Sequence, residues 1–114
     1  MNERRQNDRI DAYDIGLPVI DDIDGQELGL IGNLSMGGMM LISTRQLYTD
    51  GILQLKLDVP AELGFGLISM GVKVLWCTPA NSPNEYWAGL ETIDIGPADR
   101  DSLGHLLERL AVGA

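Results

Sequence analysis

Two short segments of this chain hold side chains suited to gripping an anionic, purine-bearing ligand. The first is Arg5-Gln6-Asn7-Asp8-Arg9, an Arg-x-x-x-Arg with Arg4 directly before it. Guanidinium is a planar fork of five donors. It matches phosphate oxygens, pairs bidentately with guanine O6 and N7, and stacks on a purine face, none of which lysine does as well. The second is Asn33-Leu34-Ser35-Met36-Gly37-Gly38, an Asn-x-Ser-x-x-Gly. Read as the end of a strand, its Asn33 and Ser35 leave the same face. An amide oxygen and a hydroxyl there accept hydrogen bonds from the N1–H and N2–H edge of a guanine. Gly37 and Gly38 suit a tight turn and leave room for a ligand to approach the backbone. Taken singly, each segment also fits an ordinary role: a solvated basic tail, and a strand-to-turn transition.

The elements that must position these residues read mostly as strands. Ile15, Leu17 and Val19 alternate with polar or small neighbours, and Asp24-Gly25 then signals a hairpin of type I′. Leu28, Leu30 and Leu34 continue the pattern on the returning strand. Met39 to Ile42 reads as a short, well-buried strand. Leu53, Leu55, Leu57 and Val59 alternate with Gln54, Lys56 and Asp58, and Pro60 ends that strand. Ile68, Met70, Val72, Val74 and Trp76 share one face of a longer strand. Pro79, Asn81, Ser82 and Pro83 mark a loop, and Tyr86 to Ile95 is the last strand. Pro97 suits the first position of a helix, whose Leu103, Leu106, Leu107 and Leu110 form one apolar stripe. Gly104 weakens that helix by about 1 kcal/mol relative to Ala.

The expected fold is therefore mainly β: a small six-stranded antiparallel barrel with a C-terminal α-helix. Residues 1–12 lack apolar periodicity and are expected to be a flexible N-terminal arm carrying the arginines. Residues 13–114 are expected to form the single barrel domain.

Composition excludes several classes of function. The chain has 114 residues, 8 basic and 17 acidic, for a net charge of −9. So acidic a protein does not suit general binding of nucleic acid or anionic membrane. Three of its arginines fall within the first nine positions, so an anion must be held by local contacts. One cysteine forms no internal disulfide, which fits a reducing, cytoplasmic setting. No apolar run approaches the roughly 18 residues of a membrane span, and the N-terminus lacks the apolar core of a secretory signal.

Catalytic and metal-binding patterns fail in detail. One His and one Cys make neither a zinc site nor a nucleophile pair. The acidic run at Asp21-Asp22-Ile23-Asp24-Gly25 is not an EF-hand. With Gly25 as its turn glycine, the first and last ligand positions would be Ile20 and Ile31, which cannot coordinate. There is no dinucleotide fingerprint and no P-loop. Trp76 and Trp87 read by default as core or rim aromatics of barrel strands. No catalytic residue, metal or cofactor is expected.

Together, and in this order, the two motifs resemble the signature of the PilZ domain, a bacterial receptor for cyclic di-GMP. That family carries Arg-x-x-x-Arg before the first strand and Asp/Asn-x-Ser-x-x-Gly at the end of a later one. The likeness extends along nearly the whole chain. It includes the Asp50-Gly51 turn, Val72-Lys73-Val74-Leu75-Trp76, Trp87-Ala88-Gly89-Leu90 and the closing helix. The chain departs at Thr92, where the family often has Phe, and Asn33 stands where Asp is commoner.

The resemblance implies a stand-alone cyclic di-GMP receptor. Arg5 and Arg9 would grip guanine and phosphate, Asn33 and Ser35 would read an edge, and Gly37 and Gly38 would permit the turn. Arg4 would reach a second, stacked nucleotide, giving two molecules per chain. Trp76 would lie near the ligand. The arm would order over the barrel on binding, at a cost of a few kcal/mol. The protein would then signal, as a monomer or weak dimer, through an unidentified protein effector. The alternative implied is a PilZ-like protein-interaction domain without nucleotide binding.

Overall fold

The computed structural model describes residues 9–63 and 66–112. Its strands are β1 (Ile10–Asp11), β2 (Pro18–Asp21), β3 (Glu27–Leu34), β4 (Gly38–Ser43), β5 (Ile52–Val59), β6 (Gly66–Pro79) and β7 (Tyr86–Asp94). Helix α1 (Pro97–Ala111) follows. Strands β2 to β7 pair antiparallel around a closed ring in the order β3-β2-β5-β6-β7-β4, with β4 returning to β3. Closure leaves no long edge for so apolar a strand set to expose. The expected six-stranded barrel with its C-terminal helix is the fold observed.

One side of β3 is covered by two short strands in succession. β2 pairs with its first half, Pro18 opposite Leu30, and β1 with its second, Ile10 opposite Leu34. Between them the Ala12 N–H donates to the Gly32 carbonyl at 3.0 Å, and the chain steps across through a 3₁₀ turn over Tyr13–Ile15. Gly16 ends that turn at φ 70°, and Asp11 Oδ1 accepts the Tyr13 N–H at 3.0 Å. Ile15 thus lies in a turn, not in the expected strand. Barrel pairing starts at Ile10, and Ala12 is buried, ahead of the expected arm–barrel boundary after residue 12.

The barrel interior holds Leu17, Leu28, Ile31, Leu34, Met39, Leu41, Leu55, Leu57, Ile68 and Leu90. Helix α1 closes it with Leu103, Leu106 and Leu110, while Leu107 packs at the margin. The expected stripe is the buried face. Its first turn is tied to the sheet, because Asp99 Oδ1 accepts the Ser69 N–H at 3.1 Å.

Four local features differ from the sequence reading. The Asp24-Gly25 hairpin is not a two-residue type I′ turn. Asp21 N–H donates to the Gln26 carbonyl and Gly25 N–H to the Asp21 carbonyl, and of the loop only Gly25 has positive φ (74°). The side chains of Asp21 and Asp24 accept the Ile23 and Gln26 amides, so two Asx turns shape this longer loop. In β4, Met39 and Leu41 are buried but Met40 and Ile42 only half so, because the barrel's outer face meets solvent. In β3 the register shifts near Leu28 and at Gly32, so Leu28, Ile31 and Leu34 are fully buried and Leu30 is not. In β6 a shift between Val74 and Trp76 inserts Leu75 as an extra residue. The alternation slips there, so Cys77 packs toward the core and Trp76 turns outward at 43% exposure.

Candidate functional site

Cross-strand pairing builds a single row across the outer face of the barrel. Asp11 pairs with Asn33, Asn33 with Met40, Met40 with Gly89 and Gly89 with Trp76. Paired residues project from the same face of a sheet. The row therefore sets the amide of the second motif beside a carboxylate at one end, with an indole at the other.

The two motifs meet at Arg9 and Asn33. Arg9 Nη1 donates to Asn33 Oδ1 at 3.0 Å, across 24 positions of sequence. Arg45, Lys56 and Lys73 lie in ion pairs with Asp21, Asp22 and Asp50. Arg9, in contrast, donates to a neutral amide, so its charge is not cancelled by this contact. Arg4 and Arg5 lie outside the described residues.

Arg9 and Asn33 border a groove of about 380 Å³. Its remaining lining is Asp11, Tyr13, Gly32, Met40 and Trp87. Gly32 is the extra residue of the β3 irregularity and makes the groove's floor possible. A Cβ there would lie 3.1 Å from Met40 Cε and 3.6 Å from Trp87 Cζ3, so both side chains rest over the bare backbone. Gly89 does the same for Trp76, whose indole nitrogen occupies the space a Cβ would fill.

Ser35 does not join Asn33 in this groove. It is buried, its hydroxyl donates to the Gly38 carbonyl at 3.2 Å, and its N–H donates to the same oxygen at 2.9 Å. Both bonds close the turn between β3 and β4. The expectation that Asn33 and Ser35 leave one face together does not hold, because β3 ends at Leu34 and the turn redirects the chain at Ser35. Gly38 is required for another reason than a left-handed turn: any Cβ would strike the Leu90 carbonyl of the neighbouring strand. Gly37 lines a separate cleft of about 400 Å³ beside Met36, Thr92, Asp94 and Arg100.

Sequence reasoning missed Asp11, Tyr13 and Met40 and set Trp87 aside as a rim aromatic. Asp11 and Tyr13 follow the second arginine at the two-residue spacing of an extended segment, which was the available signal. Among the described residues, no three His, Cys, Asp or Glu side chains gather as a metal site, and no helix is long and apolar enough to cross a membrane.

A small closed antiparallel barrel capped by one helix, with an arginine-bearing segment laid along β3, defines the class of domain. The chain matches the PilZ domain over residues 3–109 and belongs to that family. Its fold is similar to that of the Bacillus subtilis inhibitor of motility MotI/DgrA, at 23% identity and a TM-score of 0.74, covering 97% of this chain and 53% of that one. The PilZ domain of YcgR from Escherichia coli, solved with c-di-GMP, aligns at 16% identity and a TM-score of 0.71, covering 96% and 92%. The PlzA protein of Borreliella burgdorferi, in complex with c-di-GMP, aligns at 18% and 0.57, covering 99% and 55%. The chain thus spans about half the length of the Bacillus and Borreliella proteins. No curated protein matches the sequence.

Proposed function

We propose that this chain is a cyclic di-GMP receptor, a binding and signalling module and not an enzyme. The observation that carries the reading is the Arg9–Asn33 hydrogen bond, which brings the two motifs together at one groove. Membership of the PilZ family supports it, as do similar folds solved with c-di-GMP.

In this reading Arg5 and Arg9 grip guanine and phosphate, where charge-assisted forks bind most strongly. Asn33 sits at the base edge. Ser35, Gly37 and Gly38 act by holding the β3–β4 turn that presents Asn33. Trp76 offers an exposed indole face at the far end of the row. Arg4 serves a second nucleotide. Binding draws the N-terminal segment over the groove, and a protein partner reads that change. The receptor works in the cytoplasm as a monomer or weak dimer, with no cofactor.

Titration calorimetry with cyclic di-GMP tests the reading. The parent should bind, and Arg9→Ala should bind at least about thirtyfold more weakly, the equivalent of one charge-assisted contact of about 2 kcal/mol. A parent that shows no binding overturns the receptor assignment and favours a PilZ-like protein-interaction domain.

A further inference from the structure

Two sides of the barrel differ in what they show to solvent. On β5 the buried Leu55, Leu57 and Val59 alternate with Gln54, Lys56 and Asp58, which make a polar outer face. β2, β3, β4 and β7 do not follow that rule. Pro18 pairs with Leu30, Leu30 with Ile42 and Ile42 with Trp87. Paired residues project from one face of a sheet. Their chain neighbours Val19, Ile31, Leu41 and Ala88 fill the interior, so this row lies outside, and all four of its members are only partly covered. Ile20 and Met40, two residues along β2 and β4, extend it on the same face. The result is an uncharged apolar band across four strands of a chain whose net charge is −9.

We propose that this band is the docking face for a second copy of the chain, packed sheet against sheet about a two-fold axis. Charge selects the occupant. The −9 on each copy opposes contact between copies, and the band is where two copies meet without pressing carboxylates together. A basic partner is drawn instead to the acidic faces and finds no counter-charge here. The row also fits itself. A two-fold axis along the strands, between β3 and β4, reverses its order, so that Pro18 lies against the partner's Trp87 and Leu30 against the partner's Ile42. The bulkiest side chain then meets the most compact one, with two aliphatics matched at the centre, as two sheets packed about 10 Å apart require. Four strands at a spacing of about 4.8 Å make the band about 19 Å wide. A face of that width buries about 1,000 Å² in total, where specific interfaces begin, so the dimer is weak and reversible.

Sedimentation velocity of the full chain, at concentrations from about 5 to about 500 μM, tests this. No nucleotide is present, so the outcome is independent of the receptor reading. The parent should pass from monomer toward dimer across that range. Added salt should strengthen the association, because it screens the repulsion between copies and leaves the apolar contact intact. Ile42→Arg should weaken it at least about tenfold, although it lowers the net charge, because the contact would bury an unpaired cation. Leu30→Thr keeps a strand-forming residue and should weaken it as well, whereas Gln54→Thr on the polar face should leave it unchanged. Circular dichroism melts establish that each variant is folded. A parent that stays monomeric throughout overturns the proposal and leaves the band to a different protein. Association that salt weakens overturns it too, as does a dimer equally tight in folded Ile42→Arg and Leu30→Thr.

Discussion

The indole of Trp76 lies across the backbone of its cross-strand partner Gly89, where its ring nitrogen fills the space of the missing side chain. The contact settles which way Trp76 lies along the outer face, toward Met40 and Asn33 in the same row. Gly89→Ala should displace the ring and destabilise the fold by about 1–3 kcal/mol, the usual effect of overpacking. In a Trp76→Ala background the same substitution should cost much less. Urea denaturation of the four proteins gives the coupling, and strict additivity would show that the two residues do not share this space.

Arg9 touches the barrel through one exposed hydrogen bond, so it contributes little to stability. Arg5→Ala and Arg9→Ala should each weaken cyclic di-GMP binding by about 2 kcal/mol or more. Thermal unfolding temperatures should stay close to that of the parent. Parent-like affinity in both variants would remove the arginines from the site.

Stoichiometry probes Arg4. The receptor reading assigns Arg4 to a second nucleotide that Arg5 does not serve. Calorimetry should give about two nucleotides per chain for the parent. Arg4→Ala should lose or weaken the second site. A single site, unaffected by the substitution, would leave Arg4 as a solvated side chain.

Gly104 sits in the middle of α1, and a Cβ there would approach only Met36 Cε, at 3.8 Å, an ordinary contact. Gly104→Ala should therefore stabilise the protein by about 1 kcal/mol, through helix propensity alone. Its melting temperature should rise by about 4 °C. A fall would mean that Met36 cannot tolerate the methyl group.

Leu106 shows no solvent exposure where α1 closes the barrel. Truncation to Ala leaves a cavity between helix and sheet and should cost about 2–5 kcal/mol. Chemical denaturation measures it. A loss below about 1 kcal/mol would mean that the helix end of the core refills easily.

The sequence by itself determined the barrel class, the buried stripe Leu103, Leu106 and Leu110, and the two motifs. Those features are local: alternation, helical spacing and turn chemistry act between residues a few positions apart. Tertiary structure decided which motif residues meet. Arg9 and Asn33 are 24 positions apart and touch only because β1 takes over the side of β3 that β2 leaves uncovered. The irregularities at Gly32 and Leu75 are invisible to a two-residue period, yet they place Met40 and Trp87 over Gly32 and turn Trp76 outward. Ser35 shows the same limit from the other side. Its spacing from Asn33 promised a shared face, but burial of its hydroxyl demanded a partner, and the nearest was the carbonyl of the turn it closes.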